Sequence, residues 1–116
     1  MLRSFLATLA IATTSLVQCP AWAETATYYS DYYQGRRTAS GELFDTWAYT
    51  AAHPTLPMGT WVRVTNLSNN RFVEVRINDR CRCGIDLSKA AAEQIGMMQA
   101  GVVEVSIEAV NEQRQD

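Results

Sequence analysis

Two runs of alternating residues, Trp61-Val62-Arg63-Val64-Thr65 and Phe72-Val73-Glu74-Val75-Arg76-Ile77, constrain the fold more than any other feature of this chain. Side chains of an extended chain point to opposite faces in turn, so Val73, Val75 and Ile77 share one face of a strand. The segment between them, Asn66-Leu67-Ser68-Asn69-Asn70, is rich in turn formers, and the two runs read as a β-hairpin. Thr25 to Tyr29 and Val102 to Val110 supply further strands, the second with Val103, Val105 and Ile107 facing one way. Only one segment reads as helical. Ser88 caps it, Ala90 to Ile95 are good helix formers, and Gly96 ends it where left-handed backbone costs least. Many short strands with one helix argue for a small closed all-β barrel, since an open sheet of this size would leave long bare edges.

The first 23 residues read as an export leader rather than as part of that barrel. Arg3 precedes the apolar run Phe5 to Ala12, and the segment closes on Ala21-Trp22-Ala23, the small-x-small pattern of a cleavage site. A membrane anchor is disfavoured because Thr13, Thr14, Ser15 and Gln18 interrupt the run short of the roughly 20 apolar residues a span needs. Lipid attachment at Cys19 is disfavoured as well, because Gln18 stands where a small residue is wanted. Cleavage after Ala23 leaves residues 24–116, enough for one small domain and too few for two. The formal charge of the whole chain is −2, and losing Arg3 makes it one unit more negative. Nucleic acid is therefore not expected as a partner, the remaining chain holds no membrane-spanning run, and a monomer is expected.

Cys81 and Cys83 are the cysteines left after such processing. Three readings are open to them: a tight disulfide, two free thiols, or metal ligation with His53 as a third ligand. An oxidising compartment favours the disulfide, and zinc would normally need four ligands at better spacing. Neither a metal nor a cofactor is expected.

Between Thr38 and Ser88, Glu42, His53, Asp79 and Asp86 fall in turn-rich segments beside the strands. Carboxylates and an imidazole on loops held by a β scaffold suit acid/base chemistry on a sugar. Each also has a structural explanation. Glu42 follows Gly41 as a solvated turn residue would, and Asp79 at a strand end is placed to satisfy backbone amides. His53 before Pro54 would plug a barrel end, and Asp86, two residues ahead of Ser88, would bond loop amides at the approach to the helix. Among the aromatic residues, Tyr32 and Tyr33, beside Gly35 and Arg36-Arg37, are the pair expected to face a substrate.

Several motifs in one order carry a family resemblance. Thr38-Ala39-Ser40-Gly41-Glu42-Leu43-Phe44-Asp45, Thr50-Ala51-Ala52-His53-Pro54 through Gly59-Thr60, Val62-Arg63-Val64-Thr65-Asn66, Arg76-Ile77-Asn78-Asp79-Arg80 and Ile85-Asp86-Leu87-Ser88 resemble the signature of the RlpA-like proteins. The resemblance runs from about Ala26 to about Val110. It implies a six-stranded double-psi β-barrel with one or two short helices, and lytic cleavage of peptidoglycan glycan strands, with a preference for strands stripped of stem peptides. It implies catalytic roles for Glu42, Asp79 and His53. Asp79 is then expected as the acid/base, Glu42 as the charge stabiliser and His53 as an orienting group. Arg80 would hold a muramyl carboxylate, pair with Asp79 or pair with Asp86, and Asp86 joins Tyr32, Tyr33 and Arg80 as a substrate contact. A non-catalytic wall-binding module of the expansin kind is the alternative.

The chain departs from the family pattern after Arg80. Relatives carry a longer Gly-Pro-containing loop there, whereas here only Cys81-Arg82-Cys83-Gly84 intervenes before Ile85. A bridge between the two cysteines would supply the rigidity of the missing residues.

Overall fold

The computed structural model describes residues 21–110. Six strands close into one barrel: β1 (Trp22–Tyr28), β2 (Thr50–Ala52), β3 (Trp61–Asn66), β4 (Phe72–Asp79), β5 (Ile85–Leu87) and β6 (Val103–Ala109). Their order around the barrel is β1-β5-β2-β4-β3-β6, with β1/β5 and β2/β4 parallel and the other pairs antiparallel. The expected hairpin is β3–β4, with Val62 opposite Val75 and Val64 opposite Val73. Its turn needs one left-handed residue, and Asn70 takes that conformation at φ 64°.

The inward positions of all six strands meet in one core. Ala26, Ala51, Val62, Val64, Val75, Ile77, Ile85, Leu87, Val105 and Ile107 have no exposed surface. Burying each Val, Ile or Leu contributes about 1.5–3 kcal/mol, whereas an exposed ion pair contributes about 0–1. The three described ion pairs, Arg63–Glu74, Arg76–Glu42 and Lys89–Asp31, all have at least one well exposed partner, so packing rather than charge holds the barrel.

One end of the barrel is covered by α1 (Lys89–Gln94). Its start is capped as expected: Ser88 Oγ accepts the Ala91 N–H at 3.3 Å. Its end exploits Gly96, which sits at φ 72°. The terminal carbonyl of Ile95 accepts from Asn66 Nδ2 at 2.9 Å and Asn69 Nδ2 at 3.1 Å, so the β3–β4 turn satisfies a group the helix leaves unpaired.

Two boundaries differ from the sequence reading. β1 begins at Trp22, not Thr25, and Trp22 and Ala23 pair with Ile107 and Ser106 of β6. The fold thus takes in two residues assigned above to the leader, because the antiparallel ladder continues past the small-x-small pattern. The remainder of that leader, with Cys19, lies outside the described residues. The second difference is in β4, whose alternation breaks near its end. Ala51 pairs with Ile77 but Ala52 with Asp79, so Asn78 is an extra residue, and Ile77 and Asn78 are both buried in succession. A bulge of this kind re-aims the side chains that follow it.

Candidate active site

The bulge takes Asp79 off the core face. Regular alternation would put it inside with Val73, Val75 and Ile77; instead it is half-buried at the strand end. Three donors hold its carboxylate. Oδ1 accepts the backbone N–H of Ala39 at 2.8 Å and of Arg80 at 2.9 Å, and Oδ2 accepts the Tyr29 hydroxyl at 2.6 Å.

Glu42 reaches the same place from a loop 37 positions earlier. Arg37 and Leu43 form an antiparallel bridge, and the chain between them turns back with Thr38 N–H donating to Glu42 O at 2.8 Å and Gly41 N–H to Thr38 O at 2.9 Å. Gly41 stands at φ 98°, which a side chain would strain, and this is why a glycine precedes the glutamate. The loop is fastened to β4 rather than only to itself. Ser40 N–H donates to Asn78 O at 3.1 Å, Ala39 N–H to the Asp79 carboxylate, and Glu42 Oε1 accepts from Asn78 Nδ2 at 3.0 Å and Arg76 Nη1 at 3.1 Å. The two carboxylates are therefore held by adjoining residues of one strand end. The Asn78 hydrogen bond, then the one from Arg76, holds the Glu42 carboxyl below its ordinary value, so Glu42 stays an anion.

His53 is 5% exposed, and its Nδ1 accepts the backbone N–H groups of Thr55 and Leu56, each at 3.1 Å. Burial lowers its pKa, with the Arg80 charge adding to the effect against Glu24, so the ring is neutral with its proton on the other nitrogen. Its backbone N–H donates to Asp79 O at 3.1 Å, which fixes the two residues side by side. The ring stands edge to Trp22 at 6.2 Å.

Arg80 and Asp86 depart from the pairings considered for them. The Arg80 guanidinium bonds to neither Asp79 nor Asp86; Nη1 donates to the carbonyls of His53 at 3.2 Å and Leu56 at 2.7 Å, clamping the 53–56 loop. Asp86 lies within β5 rather than on a loop, and its Oδ1 accepts the Thr27 hydroxyl of neighbouring β1 at 3.0 Å instead of loop amides. Burial raises its pKa, and the Asp79 charge raises it further against the Thr27 hydrogen bond. Ala52 of β2 is the residue that pairs with both Asp86 and Asp79, so one strand separates the two carboxylates.

Cys81 and Cys83 form a disulfide, which removes both the metal reading with His53 and the free-thiol reading. Cys81 packs against the small buried cluster of Tyr29, Phe44 and Ala52 under the site. Gly84, next in the loop, passes so close to β1 that a Cβ would lie 2.3 Å from Thr25 O; only glycine permits the shortened connection.

Tyr32 and Tyr33 are exposed, at 65% and 45%. They meet edge to face at 5.1 Å, and the Arg36 guanidinium lies 4.4 Å over the Tyr32 ring. Trp47 and Tyr49 are also exposed, so the surface has more rings than that pair. A cavity of about 310 Å³ opens beside them, lined by Tyr28, Tyr29, Ser30, Asp31, Lys89 and Met98.

Sequence reasoning missed Tyr29, Asn78 and Arg76. Arg76 and Asn78 stand in the Arg76-to-Arg80 motif, but nothing local marks Tyr29 or reveals the contacts that any of the three makes. Tyr29 and Asp79 are 50 positions apart and meet only because β1 and β4 flank the same barrel end.

Residues 23–107 match the family described as lytic transglycolase. Over 86 residues the chain is 57% identical to a protein named probable endolytic peptidoglycan transglycosylase RlpA from Treponema pallidum, covering 71% of this chain and 27% of that one. Other relatives of that name are likewise longer: the chain spans 31% of the Haemophilus influenzae protein at 49% identity. Among solved structures, the Streptomyces papain inhibitor superposes with a TM-score of 0.66 at 27% identity, covering 84% of this chain and all of that one.

Proposed function

This chain belongs to the lytic transglycolase family of double-psi β-barrels, and on that premise we propose that it is an endolytic peptidoglycan lytic transglycosylase that acts outside the cytoplasm. The observation that carries the reading is the juxtaposition of Glu42 and Asp79, one held by Asn78 and the other holding Ala39 of the Glu42 loop.

The proposed reaction breaks the β-1,4 bond between N-acetylmuramic acid and N-acetylglucosamine. Asp79 gives its proton to the glycosidic oxygen, the C1–O4 bonding pair leaves with that oxygen, and positive charge grows on the muramyl ring. Glu42, kept anionic by Asn78 and Arg76, faces that charge and stabilises it. Asp79, now a carboxylate, takes the proton of the sugar's own 6-hydroxyl as its oxygen bonds to C1. The product is a 1,6-anhydro ring and no water is consumed. His53, neutral and locked by two amides, orients the 53–56 wall and the Asp79 backbone. Tyr32 and Tyr33 offer rings for the apolar faces of sugars, and the exposed Arg80 and half-buried Asp86 supply polar contacts to the strand. Strands without stem peptides are the preferred substrate.

Purified protein incubated with stem-peptide-free glycan strands tests the reading by mass spectrometry of the products. Anhydro-ended fragments are expected, and they should vanish in Asp79→Asn. Water-added fragments would make it a hydrolase. Intact strands retained on the protein would make it a binder, the reading that the exposed rings alone support.

A further inference from the structure

We propose that Tyr29 is a positioning residue that makes Oδ2 of Asp79 the oxygen that gives and takes the catalytic proton; the role rests on the functional reading above. The argument is one of donors and acceptors. Oδ1 is faced by two backbone N–H groups, from Ala39 and Arg80, which can donate but never accept. A proton on Oδ1 would meet a second donor and forfeit at least one of those bonds. Oδ2 is faced by a phenol hydroxyl at 2.6 Å. A hydroxyl carries one proton and two lone pairs, so by turning about its C–O bond it donates to the carboxylate and accepts from the acid. Asp79 therefore changes protonation state at Oδ2 without leaving either of its oxygens facing a like partner.

The ring that bears this hydroxyl is fixed. Tyr29 is 7% exposed, stacks on Phe44 at 4.1 Å with 14° between planes, and meets Tyr33 edge-on at 5.7 Å. Its backbone N–H donates to Leu87 O at 3.0 Å, which ties it to the end of β5. Burial, then the hydrogen bond to Asp79 and the nearby carboxylate charges, pushes the phenol pKa upward, so Tyr29 remains a neutral hydroxyl and does not compete as an acid.

Tyr29→Phe keeps the ring and deletes only the hydroxyl. On glycan strands kcat should fall by about tenfold to a hundredfold while KM stays within about twofold, the pattern of a contact used in the transition state. The melting temperature should fall slightly, and in an Asp79→Ala background the same change should no longer lower it, because the partner is already gone. Wild-type kcat in Tyr29→Phe would overturn the assignment. So would an activity loss that follows the loss of folded protein, or a melting effect that persists without Asp79. A wild-type protein that releases no product at all would sink the functional reading first, before any variant is compared, and this role with it.

Discussion

Asn78 Nδ2 donates to Glu42 Oε1 at 3.0 Å, and Asn78 is the extra residue of the β4 bulge, so one side chain ties the strand defect to the loop carboxylate. It is also the first cause of the lowered Glu42 pKa. A depressed carboxylate pKa contributes stability that is present above the unfolded value of 4.5 and is lost as pH falls through the folded value. In Asn78→Ala the Glu42 carboxyl should titrate at higher pH than in the wild type, read by carbon-13 NMR of the side chain. An unchanged midpoint would remove Asn78 from the support of Glu42.

His53 should make the barrel sensitive to mild acid. Its folded pKa is lowered below 6.5, so its contribution is complete above that value and is lost as pH falls through the folded value. Protonating Nδ1 forfeits the acceptor for the Thr55 and Leu56 amides. His53→Ala should cost about 1–3 kcal/mol at pH 7. Thermal melts across pH 5 to 7.5 should show a wild-type decline on acidification that is shallower in the variant.

Asp86 should show the reverse sign. Its pKa is raised, chiefly by burial, so its stabilising contribution is largest below 3.8 and is lost as pH rises toward the folded value. Asp86→Asn keeps an acceptor for Thr27 and avoids the buried charge. At pH 7 it should melt no lower than the wild type, whereas near pH 3 any advantage should be gone; a clear loss at pH 7 would mean the charge itself is needed.

Reducing the Cys81–Cys83 bridge should change global stability little. The closed loop is very short, so it removes little unfolded-chain entropy compared with the roughly 2–4 kcal/mol of typical disulfides. The melting temperature should fall by less than about 10 °C on adding a reductant, and a Cys81→Ser/Cys83→Ser variant should match it.

Trp22 packs against the core cluster and on the His53 edge, and it pairs with Ile107. Protein beginning at Glu24 should therefore melt several degrees below protein beginning at Trp22. Equal melting temperatures would show that the first rung of β1 contributes nothing. Intact-mass measurement of the protein recovered from its cells then reveals whether Trp22 and Ala23 are retained.

What could be read from the chain was whatever is local. The β3–β4 hairpin and the Ser88-to-Gly96 helix follow from period-two alternation and capping, both visible in a few consecutive letters. The positions of Glu42, His53 and Asp79 were legible as motifs, but their wiring was not. Alternation continued through β4 puts Asp79 in the core, and only the pairing with β2 reveals the extra residue that prevents it. The Arg80 guanidinium turns to the carbonyls of His53 and Leu56, 27 and 24 positions earlier, which only tertiary packing brings within its reach. At Trp22 a small-x-small pattern and a strand start overlap in the same three letters, and the letters alone gave no sign of the strand.

The surplus position at Asn78 makes the chemistry depend on a count as well as on identities. Substitutions along β4 leave that count intact, but deleting Asn78 would let the strand pair with β2 in unbroken alternation, removing the bulge together with the amide that holds Glu42.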